Sequence, residues 1–438
     1  MTTKNLLEEF DHYLQLLFPI NRSISGNGNK ETLRILKEIA PIDIKEFSSG
    51  QSVYDWTIPP EWNVKDAYIK NSNGDKVVDF QVNNLHLMSY SQPISENLHY
   101  DTLKHHLHLH KSDPNAIPYR TSYYKSDWGF CITEEQNQIL KKHKGPLEVL
   151  IDSSFNFDGC LTYGELLIPG EVKEEILIST YFCHPSLAND NLSGSVLTAF
   201  LARELLKMKL HYSLRIIFVP ETIGAIAYCY NHETEMKQIS QGIVVTTVAG
   251  PGKFGYKASF DTNNEINSLV EEVFKKNNID FLTYPFDVFG SDERQYSSAG
   301  FRINCISITK DKYYEYPEYH TSLDNLDFIS SDSMLASLGL YKDLVFMLNK
   351  NLIYKNTLPN CELMLSKRDL YPKTGGAILP NSSSSEELKL ILNLLFWCDG
   401  TRTLLSISKD VKLPFDRLIA IVSFLEKQGV LSLDDKNA

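Results

Sequence analysis

Four side chains capable of metal or acid–base chemistry each lie just past an apolar run. His184 closes EILISTYFCHP, Asp190 follows six residues later in NDNLSG, Glu221 comes directly after LRIIFVP, and His320 sits in EYHTSLDNLD. Imidazole and carboxylate are the groups that hold a Lewis-acidic dication, and a catalytic ion needs three such ligands, an open position for water and a base beside it. His184, Asp190 and His320 supply the ligands in that scheme, and Glu221 the base. Asp324, four residues after His320, is a candidate to receive the second ring N–H of that imidazole. Each residue also has a plainer reading. Asp190 reads equally as a helix N-cap, His184 as a loop histidine with its hydrogen bond satisfied, and Glu221 as a carboxylate at a helix start.

Such residues meet only if the chain delivers them to one edge. Ile176, Leu177, Ile178 and Tyr181 read as a strand buried on both faces, ending at His184-Pro185, and SVLTAFLARELLKMK after Gly194 has helical apolar spacing. LEVLID, ELLIPG, EEILISTYF, LRIIFVP, GIVVTTVAG and RINCISIT, with a helix at about 263–276, continue the pattern from Leu147. This predicts an α/β fold: a mixed, mostly parallel sheet with helices on both faces, whose strand carboxyl ends gather the loops. The expected main domain is discontinuous, 1–50 and 145–352, and begins with two amphipathic helices over 5–17 and 30–39.

Between these halves, 51–144 reads as a small inserted α+β domain, β-rich, with Asn73-Gly74 as a hairpin turn. Its His106, His108 and His110 would share a face if extended, but they lack an acidic or cysteine neighbour, and an exposed polar strand face accounts for them. The aromatic segment Ile117–Phe130 would pack on the main domain or line a cleft. After a linker, 356–438 has the helix, turn, two helices and terminal strand of a winged helix-turn-helix. Asp416 and Glu426 accompany Arg417 and Lys427 on its third helix, which favours a protein contact or a homo-oligomer over DNA.

The 438 residues carry a formal charge of -12, which disfavours general nucleic-acid binding. No apolar run reaches the roughly 20 residues that span a bilayer, and Glu8, Glu9 and Asp11 interrupt any signal-like stretch. Seven cysteines without CxxC spacing suit reduced thiols in a cytoplasmic protein.

Taken together, HPSLANDNLSG, PETIGAIAY, GSDERQYSSAG and YHTSLDNLDFIS resemble the zinc aminopeptidase superfamily typified by bacterial leucyl aminopeptidase. They are closest in kind to a bacterial aminopeptidase-like branch with an inserted domain and a C-terminal winged helix. The resemblance implies that His184, Asp190 and His320 bind metal and that Glu221 is catalytic. It places Asp292, Glu293, Arg294 and Tyr319 at substrate, and Ser186, Thr222 and Asp324 around the ligands. Three family carboxylates are missing, their places taken by Ser186, Thr222 and Thr247. One zinc is therefore expected rather than two, with water in the fourth position and a small peptide or amide as substrate. A deacylase acting on a sugar or amino-acid conjugate, and a catalytically silent zinc-containing binding protein, are the alternatives.

Overall fold

The computed structural model describes residues 3–122, 125–368, 370 and 383–434. Residues 371–382 of the linker expected before the C-terminal unit lie outside them, as do Tyr123 and Tyr124 of the aromatic segment.

The main sheet is built from eight strands: β1 (Asp43–Ser48), β2 (Cys160–Ile168), β3 (Glu175–Tyr181), β4 (Ser213–Val219), β5 (Gln241–Val245), β6 (Gly255–Lys257), β7 (Leu282–Tyr284) and β8 (Asn304–Thr309). Their order is β1-β2-β4-β3-β5-β8-β6-β7. The central four, β4, β3, β5 and β8, are parallel, while β2 runs antiparallel to β4 and β6 antiparallel to β8.

Side chains alternate across each central strand, so each face needs its own cover. Ile176 and Ile178 point into one core with Ile216, Phe218, Ile243 and Val245, covered by the helices Gly194–Leu205, Glu265–Lys276 and Ser331–Lys350. Leu177, Ile217 and Val244 point into the other, covered by the helix Ile223–Asn231. The first cover sits very close, because a Cβ on Gly194 would stand 2.7 Å from the Val245 carbonyl. The mostly parallel sheet with helices on both faces is the expected fold class.

The connection from β3 leads to β4 on one side, and the chain then crosses back past β3 to β5 on the other. Ligand clefts form outside the carboxyl ends at such a reversal. His184, Glu221, Thr247 and the loop after β8 all emerge there.

Four antiparallel strands, Lys76–Asp79, Glu61–Lys70, Leu147–Asn156 and Ile94–Leu98, form a second sheet, with Gly74 at φ 87 in the hairpin turn. LEVLID was expected in the main sheet but belongs here. Leu147, Val149 and Ile151 are buried while Glu148 and Asp152 are exposed, the alternation of a sheet covered on one face only. Its buried residues join the core beneath β3 and β4.

The C-terminal unit is a winged helix-turn-helix: helices Ser383–Trp397, Leu404–Val411 and Phe415–Lys427 with the strands Asp399–Thr403, Ile353–Asn356 and Leu431–Leu433. Glu265 accepts from Thr403 Oγ1 of this unit (2.6 Å) and from Asn351 Nδ2 (2.7 Å), and Asn351 Oδ1 in turn accepts from the Leu405 N–H (2.8 Å), fastening the unit to the sheet domain. Among the described residues no helix is long and apolar enough to cross a membrane, and all seven cysteines are free.

Phe200 lies fully buried, its ring 4.6 Å from that of Phe10 on the helix Thr3–Leu17. Phe200→Ala should remove about 3–5 kcal/mol of stability, seen as a lowered thermal midpoint, whereas truncating the exposed Leu206 should leave it nearly unchanged.

Candidate metal centre

The three expected ligands meet. One ligand atom from each of His184, Asp190 and His320 lies within 4.8 Å of the other two, and they form the sole such group of metal-ligating side chains among the described residues. His320 Nε2 is 2.9 Å from Asp190 Oδ2, yet both are buried atoms without a hydrogen-bond partner. Two donors that approach so closely without hydrogen-bond geometry fit electron pairs directed at a shared third body. A tetrahedral zinc with bonds of about 2.0–2.1 Å holds its ligand atoms roughly 3.3 Å apart, so these residues suit such an ion with small side-chain adjustments.

Protonation states agree with that fit. Burial, against the opposing pull of Asp190, lowers His184 to about 4, so the ring is neutral at physiological pH. Burial alone would raise Asp190, but His184, His320 and the Tyr181 hydroxyl outweigh it and hold the carboxyl at about 2. A neutral imidazole and an ionised carboxylate are the forms that bind a cation.

The loop between β3 and its helix is held from three sides. Tyr181, at the end of β3, donates its hydroxyl to Asp190 Oδ1 at 2.5 Å. Asn191 Nδ2 donates to Thr180 Oγ1 and to the carbonyls of Tyr181 and Val245, each at 3.1 Å. Asn191 Oδ1 accepts from the N–H groups of Gly194 and Thr247.

Asp324 was expected to receive a ring N–H from His320, and its contacts correct that. Its Oδ1 accepts from the Asn189 N–H at 2.6 Å, and its Oδ2 from the Asp190 N–H and the Tyr316 hydroxyl, both at 3.0 Å. Two buried backbone donors in a tight loop need an acceptor, and this carboxylate, wholly buried, supplies it. Nor is Asp190 an N-cap. It lies within the wide turn Ala188–Ser193, ahead of the helix that begins at Gly194.

Glu221 brings its Oε2 to 3.8 Å from His184 Nε2, with its side chain 22% exposed. Burial first, then the charges of Asp292 and Asp190, push its carboxyl well above the ordinary range. The next residue, Thr222, has φ 65, and its N–H donates to Asp292 Oδ1 at 2.8 Å. Ser186 (φ 43) and Thr247 (φ 49) also have positive φ, uncommon for any residue but glycine and more so for the β-branched threonines, and such backbone clusters at functional sites. Ser186 Oγ accepts from Asn84 Nδ2 at 3.0 Å.

Of the four side chains expected at substrate, Asp292 and Glu293 are fully buried and brace the site from beneath. Asp292 holds Thr222, while Glu293 accepts from the Tyr313 hydroxyl at 2.5 Å and faces Lys257 Nζ at 3.5 Å. Arg294 and Tyr319 remain partly exposed, and the Tyr319 ring stacks on His320 at 3.9 Å.

Four contributors were not singled out from the sequence. Tyr181 and Asn191 are two. Arg22 donates Nε to the His184 carbonyl at 3.0 Å and Nη1 to the Leu17 carbonyl at 2.5 Å. Tyr119 sets its ring 5.1 Å from His184 and 5.2 Å from His320, and its N–H donates to the His320 carbonyl at 2.8 Å. The aromatic density around Tyr119 was the available signal, whereas Arg22 carried none. The histidine run is occupied otherwise: His106 stacks on Trp128 at 3.7 Å, and His110 Nδ1 accepts from the Asp113 N–H.

Residues 11–351 match the family described as a domain of unknown function, DUF4910, and 352–433 match a winged helix-turn-helix family. Over 431 residues the chain is 41% identical to a Clostridium acetobutylicum protein provisionally named a polysaccharide biosynthesis protein with an aminopeptidase-like domain, spanning 98% of this chain and 95% of that one. It also resembles a crystal structure of a provisionally named peptidase from Clostridium acetobutylicum, with a TM-score of 0.88, 40% identity and 98% of each chain covered. BSAP, a zinc aminopeptidase from Bacillus subtilis, is similar in fold, with a TM-score of 0.56, 13% identity and coverage of 77% and 94%.

Removing the carboxylate that fixes the Asn189–Asp190 backbone should loosen the ligand set. Asp324→Ala is expected to weaken zinc binding about 10–100-fold in chelator competition while the protein stays folded.

Proposed function

The chain belongs to the DUF4910 family, aminopeptidase-like and joined to a winged helix, and from that premise we propose that it is a metal-dependent amide hydrolase, most concretely an aminopeptidase. The observation that carries this reading is the convergence of His184, Asp190 and His320 within 4.8 Å, with the Glu221 carboxylate beside them. One zinc, held by those three side chains, is the ion proposed. When bound, such an ion polarises an amide carbonyl and acidifies water.

The protein's own groups do the rest. Glu221, open to the cleft and 3.8 Å from His184, accepts a proton from the attacking water and delivers it to the leaving amine. Its raised proton affinity suits the delivery half of that cycle. Tyr181 and Asp324 keep Asp190 aimed, and the rings of Tyr119 and Tyr319 limit water around the two imidazoles. The proposal of a single ion rests on Ser186, Thr222 and Thr247. A second dication a few ångströms away would meet neutral hydroxyls instead of carboxylates, too little charge to offset the mutual repulsion.

A second reading, deacylation of an amide on a sugar, draws on the polysaccharide biosynthesis in the relative's name. Free-amine and blocked-amine amides separate the two, since an aminopeptidase hydrolyses only the former.

Metal analysis of the purified protein should give one equivalent of zinc, and two tightly held equivalents would refute the single-ion proposal. Glu221→Gln should retain the zinc and lose at least about 100-fold in kcat. Unchanged turnover would exclude Glu221, and absence of hydrolysis by the unaltered protein across both amide classes would leave the silent binding protein as the better reading.

A further inference from the structure

The other buried or half-buried arginines of the sheet domain either form ion pairs or give two donors to carbonyls, although Arg22 Nη2 and Arg203 Nε are buried without a hydrogen-bond partner. Arg215 pairs with Glu165 at 2.9 Å and Glu175 at 2.5 Å, Arg203 with Glu9 at 2.9 Å, and Arg22 with two carbonyls. Arg294 differs. Its Nη2 reaches Thr222 Oγ1 at 3.5 Å, its Nε is buried without a partner, and among the described residues it makes no ion pair. The neighbouring carboxylates are each engaged through one oxygen, Asp292 Oδ1 with the Thr222 N–H and Glu293 Oε1 with Tyr313 and Lys257, and although Asp292 Oδ2 and Glu293 Oε2 have no hydrogen-bond partner, neither acid forms an ion pair with Arg294. A planar guanidinium with five donors, half removed from water and left unpaired, is matched by a carboxylate arriving from outside.

The position gives the side from which it arrives. Arg294 touches Thr222, the residue after Glu221, so an anion bound there lies on the side of the base, where the leaving amine collects its proton. Tyr314, 64% exposed, rests its ring 4.9 Å from that of Tyr319, which itself stacks on His320, so this side of the site is open to solvent.

We propose that Arg294 binds the α-carboxylate of the leaving amino acid, so that the substrates are amides whose amine half is a free amino acid: dipeptides or N-acyl amino acids, rather than long peptides or amino-sugar amides. This rests on the amide-hydrolase reading and narrows it. The carboxylate takes no part in the bond changes. The amide C–N bond breaks, water oxygen adds to the carbonyl carbon, one water proton passes to the nitrogen, and Arg294 is a positioning residue.

The test uses L-alanyl-glycine and L-alanyl-glycinamide, which differ only in that carboxylate, titrated calorimetrically into the zinc-replete full chain carrying Glu221→Gln. The dipeptide should bind at least about tenfold tighter than its amide, the scale of a charge-assisted pair. Arg294→Gln in the same background should erase the difference, and Arg294→Lys should keep part of it, with zinc content and thermal midpoint as folding controls. In the active protein the preference should appear mainly in KM. Equal affinities, a difference that survives Arg294→Gln, or no binding of either peptide overturns the assignment. Preferential binding without hydrolysis by the active protein would sink the amide-hydrolase reading and leave the carboxylate site standing. Hydrolysis with equal affinities would do the reverse.

Discussion

A carboxylate kept ionised in the interior is the constraint from which the rest of this structure follows. Asp190 is 1% exposed, and a charge taken that far out of water is tolerable only with compensating partners. The partners come from well-separated parts of the chain: two imidazoles, a tyrosine hydroxyl at the end of the preceding strand, and a second acid that grips the backbone of the loop rather than its side chain. The pairing leaves Asp190 Oδ2 and His320 Nε2 without hydrogen bonds. Those two atoms therefore turn lone pairs toward a point that a bound cation would fill.

The sheet makes such an assembly affordable. Four parallel strands buried on both faces fix where their ends emerge, and the reversal of direction between β3 and β5 opens a crevice at those ends. The positive φ angles at Ser186, Thr222 and Thr247 occur within a few residues of β3, β4 and β5, each where the chain turns abruptly out of the sheet. Rigid strands on one side and dense hydrogen bonding on the other over-determine those turns.

Much of this could be read from the residues. Two-faced apolar runs announced the central strands, Asn73-Gly74 announced the hairpin, and the order of motifs announced His184, Asp190, Glu221 and His320 as a group. What could not be read depends on orientation. A sequence shows that Asp324 lies four residues from His320 but not that its oxygens turn toward Asn189 and Asp190. Likewise, the family resemblance puts Asp292 and Glu293 of GSDERQY at substrate, and only three-dimensional packing shows that they are fully buried and support the site from below. Arg22 is the extreme case, since its partner His184 is 162 residues away and nothing local to either hints at the contact.

The segment that bears Tyr119 does more than cover the imidazoles. Pro118 forms a β-bridge with Thr321, the Tyr119 N–H bonds to the His320 carbonyl, and the Ile117 N–H bonds to Ser322 Oγ, so this segment is stitched directly to the loop that delivers a ligand. The seam between these two stretches of chain therefore runs through the reactive centre instead of around it. Neither stretch can drift in shape alone, and a lineage that discarded 117–119 would have to invent new scaffolding for that histidine.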